Sequence, residues 1–150
     1  MVVNILVLIS SFGAMEFVAW FSHKYLMHGW FWYLHKDHHQ VESGIFEKND
    51  LFFLIFAIPS AYCYVSGLLY HDLRLYVGIG ISVYGLAYFF VHEIIIHQRI
   101  KMLSHINFRY VRAIRRAHKM HHKNQDKYHG QNFGMLIVPL KYWVDPTSTQ

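Results

Sequence analysis

Three runs of almost unbroken apolar residues, 2–21, 51–70 and 75–96, dominate the chain, separated by polar stretches that hold most of its charge and nearly all of its histidines. Each run has the roughly 20 residues that a helix needs to cross the hydrocarbon of a bilayer. The pattern predicts an all-α, multi-pass transmembrane helical bundle with three clear spans. The first run lacks a basic start and a small-residue cleavage site and continues through Ser22 into His23, so it reads as a retained helix and not a signal peptide. Pro59 is expected to kink the second run, and Gly78, Ser82 and Gly85 give the third a small-residue face where another backbone can approach. Only His71, Asp72, Leu73 and Arg74 separate these two runs, which predicts a hairpin.

Beyond Gln98 the chain is polar and basic as far as Gly130, then apolar again over 133–143. That last stretch is too short to span. With Pro139 and Lys141 it reads as a fourth segment lying at the interface or covering the site, a tilted partial span being the alternative. No Ser-, Gly- or Pro-rich linker divides the 150 residues, so one membrane-embedded domain, 1–150, is expected, with polar segments 22–50 and 97–132 on one side.

Composition sharpens this picture. Hydrophobic residues make up 54% and charged residues 15%, too apolar for an ordinary soluble domain. Cys63 is the only cysteine, which excludes an internal disulfide or thiolate cluster and leaves it as an apolar filler. Of 14 Lys and Arg residues only Arg74 falls at the hairpin tip, so the positive-inside rule makes the histidine-bearing face cytoplasmic. The basic stretch from Arg99 to Lys127 suits membrane lipid headgroups, at about 1 kcal/mol per near-surface charge, or an acidic electron donor. Its juxtamembrane confinement argues against nucleic acid despite a pI near 9.3. Trp20, Trp30, Phe31, Trp32 and Tyr33 cluster where the first span leaves the hydrocarbon, as an interfacial aromatic belt would.

Ten of the 13 histidines follow one duplicated order: His23 and His28, then His35, His38 and His39; His92 and His97, then His118, His121 and His122. Residues at i, i+3 and i+4 share a helix face, so each HxxHH triplet is expected to aim three imidazoles at one point. An out-and-back hairpin returns the chain to the side it left, which lets both sets converge on a metal site. Imidazole suits zinc, copper, nickel and iron alike. Ten are too many for one zinc centre, which closes with four ligands, so two metals with four or five nitrogens each are expected. The Glu-x-x-His pairs of carboxylate-bridged di-iron bundles are absent. Residues five apart differ by about 140° around an α-helix, so either His23 and His28, and likewise His92 and His97, serve different metals, or a π-bulge aligns them.

Asp37 and Glu93 lie within the histidine sets and are candidates to accept the free N–H of a ligating ring. Glu16, at membrane depth seven residues before His23, reads as a helix-packing contact, with a hydrogen-bond acceptor supporting the site or a proton-relay member as the alternative. His129 is balanced between the site and the surface, His105 reads as a surface residue, and His71 lies across the membrane.

The order HxxxxH, HxxHH, hairpin, HxxxxH, HxxHH resembles the fatty acid hydroxylase superfamily of membrane di-iron oxygenases. Within it the chain is most similar to the bacterial β-carotene hydroxylases, through His35 to His39 followed by Gly44, Phe46-Glu47-Lys48-Asn49-Asp50, Arg115 to His122, and Asn132-Phe133-Gly134. The resemblance implies that His23, His28, His35, His38, His39, His92, His97, His118, His121 and His122 hold two non-haem iron ions. It also implies O2-dependent hydroxylation at carbon 3 of β-ionone rings of a carotenoid, giving zeaxanthin by way of cryptoxanthin. Reducing equivalents would come from a ferredoxin-like donor and its reductase, at the cytoplasmic membrane of a bacterium. A sibling hydroxylase acting on fatty acyl chains or sterols would use the same metals, and a non-enzymatic membrane metal-binding protein is the rival from another class. A desaturase would typically end its second box with one histidine and carry two hairpins.

Overall fold

A computed structural model describes residues 1–40 and 46–144, apart from the side chain of Met102. Gly44 lies outside the described residues. Helix α1 spans Val2–Phe21, α2 Trp32–His39, α3 Phe52–Tyr70, α4 Arg74–Phe89 and α5 Arg109–His122. Among the described residues there is no strand.

Two of these helices do not end where their α-helical hydrogen bonding ends. Helix α1 runs on as a π-helix over Ser22–Trp30, and α4 as a π-helix over Phe90–Ile96. Together with the 3-10 turn that leads into α3, this yields three continuous apolar helices long enough to cross a membrane, Val2–Trp30, Lys48–Tyr70 and Arg74–Ile96. Pro59 is accommodated inside the unbroken α3.

Helix α4 packs between α1 and α3. The close approach is built on glycine. A Cβ at Gly78 would lie 2.6 Å from Tyr64 N and 2.9 Å from the Ser60 carbonyl of α3, and one at Gly80 would lie 2.7 Å from the Leu8 carbonyl of α1. Ser60 Oγ donates to the Gly78 carbonyl (2.9 Å) and sits 2.7 Å from Ser82 Oγ, so the hydroxyls inside the hairpin are satisfied without water. Gly85 does not belong to this face: nothing lies within 4 Å of the position its Cβ would take. Large apolar side chains such as Ile5, Phe53, Ile58, Val65 and Leu86 point outward, as a lipid solvent requires. We expect Gly78→Ala to cost about 1–3 kcal/mol of stability through overpacking, and Gly85→Ala to cost nothing. Thermal unfolding of the two variants in detergent checks this, and equal midpoints would contradict the packing described.

Helix α5 is amphipathic. Ala113, Ile114 and Ala117 face a small core with Val138, Tyr142, Val91 and Ile96, while Arg112, Lys119 and Met120 face out. The 133–143 stretch forms no fourth span. It folds back over the ends of α1 and α5, with Met135, Val138 and Tyr142 buried and a single 3-10 turn at Leu140–Tyr142.

Candidate metal centre

The π-helices settle the question of the pairs five apart. In each, an extra residue per turn shifts hydrogen bonding to i, i+5, as in His97 N–H to the His92 carbonyl (2.9 Å) and Phe31 N–H to the Leu26 carbonyl (2.8 Å). His23 and His28 thereby face the same way, with ring centroids 5.3 Å apart, and His92 and His97 do so at 4.5 Å. Gly29, at φ −107° and ψ −110°, then breaks the first π-helix and turns the chain into α2.

Nine imidazoles gather into two groups whose potential ligand atoms all lie within 4.8 Å of one another: His23, His28, His35, His39 and His121 in the first, and His38, His92, His97 and His118 in the second. This corrects the expectation that each triplet aims at a single point. Neighbours such as His38 and His39 differ by about 100° around the helix, so each triplet straddles both groups. His38 leaves its own half to join the second, and His121 joins the first. His122 stands between them, stacked on His39 (centroids 4.5 Å, 15°) and 4.5 Å from His118.

The outer ring nitrogens fix the tautomers. Nδ1 of His23 lies 3.0 Å from the Phe133 carbonyl, His28 3.2 Å from that of Lys127, His39 3.1 Å from that of Asn124, His121 2.8 Å from that of Gln131, and His35 2.6 Å from Asn49 Oδ1. Each oxygen can only accept, so each Nδ1 carries the proton and each Nε2 presents a lone pair inward. Those lone pairs meet head-on: His23 and His35 Nε2 are 3.2 Å apart, His35 and His39 3.2 Å, and His28 and His121 3.3 Å. No proton is available to lie between them, and a cation is what the arrangement fits. Two nitrogens about 2.1 Å from one ion and at right angles to each other would be about 3.0 Å apart.

In the second group His38 Nδ1 donates to Glu47 Oε2 (2.8 Å) and His92 Nδ1 to Glu93 Oε1 (2.6 Å), while His97 and His118 Nε2 approach to 2.9 Å. Nε2 of His38 and of His122 is buried without a hydrogen-bond partner among the described residues. Burial, reinforced by neighbouring imidazoles, holds His38 and His118 well below the usual imidazole range and brings His39 to about 4 and His97 and His121 to about 3. All are neutral near pH 7, the form that ligates metal.

Of the expected supporting residues, Glu93 reaches an imidazole. Asp37 does not: its Oδ2 accepts the Lys48 backbone N–H (2.7 Å). His129 is exposed at a left-handed turn (φ 67°), and His71 and His105 are exposed as well. Glu47 was not singled out as a partner from sequence, although its E-x-x-D spacing ahead of an apolar run was a helix-start signal. Trp32 packs on His28 (5.1 Å) and His39 (5.5 Å) and so lines the centre instead of the membrane interface. Phe133 presses edge-on against His23, His28 and His121.

Glu16 is more than a packing contact. Its carboxylate accepts the backbone N–H groups of Met135 (2.9 Å), Leu136 (2.9 Å) and Ile137 (3.0 Å), and the Tyr84 hydroxyl (2.7 Å). It thereby ties the 133–143 segment to the membrane helices, a few residues along the chain from the Phe133 and Gln131 carbonyls that orient His23 and His121.

The family model for fatty acid hydroxylase matches residues 8–144. The chain is 38% identical to a beta-carotene hydroxylase of Pseudescherichia vulneris, over 92% of this chain and 78% of that protein. It is 36% identical to a beta-carotene hydroxylase of Pantoea ananas (91% and 78%), and 36% identical to a chloroplastic beta-carotene 3-hydroxylase of Gentiana lutea (83% and 40%). No solved structure matches. By the extent of these matches and the histidine architecture they coincide with, the chain belongs to the fatty acid hydroxylase family.

Proposed function

We propose that this protein is an O2-dependent hydroxylase of β-carotene, acting at carbon 3 of the β-ionone rings to give cryptoxanthin and then zeaxanthin. The observation that carries the reading is the convergence of ring nitrogens from nine histidines into two adjacent groups, in a chain whose relatives bear that activity's name. In this reading His23, His28, His35, His39 and His121 hold one iron, His38, His92, His97 and His118 hold the other, and His122 serves either or both. Two irons, when bound, supply reductive activation of O2, with one oxygen atom entering the ring C–H bond and the other leaving as water.

The rest falls to the chain's own residues. The backbone carbonyls of Asn124, Lys127, Gln131 and Phe133 and the Asn49 side chain hold the first group's rings in the ligating tautomer, and the carboxylates of Glu47 and Glu93 do so for His38 and His92 of the second. Trp32, Phe52 and Phe133 surround the first group with apolar rings that exclude water and offer a surface to a hydrocarbon ring. Three outward-facing apolar helices support membrane embedding of the unit, taken as 1–150, and the Lys and Arg distribution supports a cytoplasmic-face site in a bacterial inner membrane. Arg116, Lys119, Lys123 and Lys141 line a cleft of about 910 Å3 that also reaches His122, which suits the approach of an acidic, ferredoxin-like electron donor supplied by its own reductase.

Expression in a bacterium that accumulates β-carotene, followed by pigment chromatography, tests the assignment. Cryptoxanthin and zeaxanthin are the expected products. Unchanged β-carotene, despite verified membrane insertion and a competent donor, contradicts it, and hydroxylated fatty acids or sterols in the same cells would move the substrate to those classes.

A further inference from the structure

The two groups differ in what stands behind their rings. All five imidazoles of the first group give their outer N–H to uncharged oxygens: four backbone carbonyls and the Asn49 amide. In the second, two of four give it to carboxylates, Glu47 and Glu93. These carboxylates come from opposite halves of the chain, and one guanidinium joins them: Arg99 Nη2 lies 2.5 Å from Glu47 Oε1, and Arg99 Nε 2.8 Å from Glu93 Oε2. Asp50 completes the cluster, 3.5 Å from Arg99 Nη1, and the Arg99 backbone N–H donates to the Glu93 carbonyl (2.9 Å). Three carboxylates against one guanidinium leave a net negative charge beside the second group. Among the described residues no comparable charge touches the outer nitrogens of the first.

We propose that Glu47, Glu93 and Arg99 are positioning residues that make the two metal positions inequivalent, biasing the one held by His38, His92, His97 and His118 toward the higher oxidation state. An imidazole whose outer N–H is given to a carboxylate is a stronger donor at its inner nitrogen than one bonded to a carbonyl, and the local negative charge adds to the preference for the more positive ion. Arg99 limits that bias and, by spanning both carboxylates, keeps the two rings in register: it is the strut through which one half of the chain sets the orientation of a ring belonging to the other. The first electron delivered would accordingly settle on the His23 group. This inference rests on the reading that both groups hold iron.

The test is Mössbauer spectroscopy of the purified full-length protein, loaded with the spectroscopic iron isotope and poised at a series of solution potentials, for the parent and for Glu47→Gln and Glu93→Gln. Both variants keep one oxygen to accept the imidazole N–H, while the charge is lost and the NH2 that replaces the second oxygen no longer accepts from Arg99. The parent is expected to show two components that reduce in succession. In each variant, at fixed potential, the ferrous-to-ferric ratio of the later component should rise about tenfold, or that component alone should be lost, while the earlier one is unchanged. Arg99→Lys, which keeps a cation between the carboxylates, should stay closer to the parent than Arg99→Gln. Two components that change together in the variants, or do not change at all, would overturn the proposal. A parent holding fewer than two irons per chain would instead overturn the metal assignment beneath it.

Discussion

Replacing His121 by alanine should reduce hydroxylated product at least about 100-fold, the largest effect expected of any single substitution. His121 is fully buried, its Nδ1 is held by the Gln131 carbonyl, and its Nε2 faces that of His28 at 3.3 Å. It is also the member of the first group contributed by the other half of the chain. Its removal takes one of five converging nitrogens and opens the boundary between the groups, so bound iron should fall from about two toward one per chain. His105→Ala, at an exposed site outside both groups, should match the parent in product and in iron. Pigment chromatography combined with metal analysis checks both variants. Parent-like product from His121→Ala would remove this histidine from the site.

Glu16→Gln should give the second largest effect, and on stability as well as turnover. The carboxylate takes three backbone N–H groups and a tyrosine hydroxyl. A hydrogen bond to a charged group contributes about 1.5–3 kcal/mol, and an amide turned toward three N–H donors leaves at least one of them opposed by its own NH2, so a loss on the order of 3 kcal/mol is expected. The 133–143 segment should then detach first. Trypsin should cleave at Lys141 in the variant under conditions that spare the parent, and product should fall about tenfold as Phe133 and Gln131 cease to orient His23 and His121. Tyr84→Phe, which removes one of these bonds to the carboxylate, should cost about 1.5 kcal/mol. Equal protease resistance of Glu16→Gln and the parent would contradict this account of the segment.

The spans could be read directly from the sequence because about 20 consecutive apolar residues leave few alternatives to a membrane helix. The histidine sets could be read because both copies share one spacing and the hairpin returns them to one side. Three features could not. The exchange of His38 and His121 between the groups depends on how two helices are rotated against each other, and an angle of about 100° between adjacent residues permits either assignment. The choice between a π-helix and ligands divided among metals is a matter of one extra residue in a turn, which spacing alone leaves open. The supporting carbonyls of Phe133, Lys127, Asn124 and Gln131 are backbone atoms and carry no residue signature at all. Glu16 stood out as an ionisable group at membrane depth, but its partners lie about 120 positions away in a segment whose apolar residues suggested only an interfacial cover. Gly80 was missed and Gly85 wrongly included because a small-residue spacing marks a helix face without saying which neighbour meets it.

In the proposed centre, imidazoles from both halves of the chain enclose two metal ions. Iron analysis of the protein purified without oxygen, joined to X-ray absorption at the iron edge, addresses it most directly. About two irons per chain are expected, each surrounded chiefly by imidazole nitrogen. One iron or none, or a carboxylate- or sulfur-dominated environment, would contradict it.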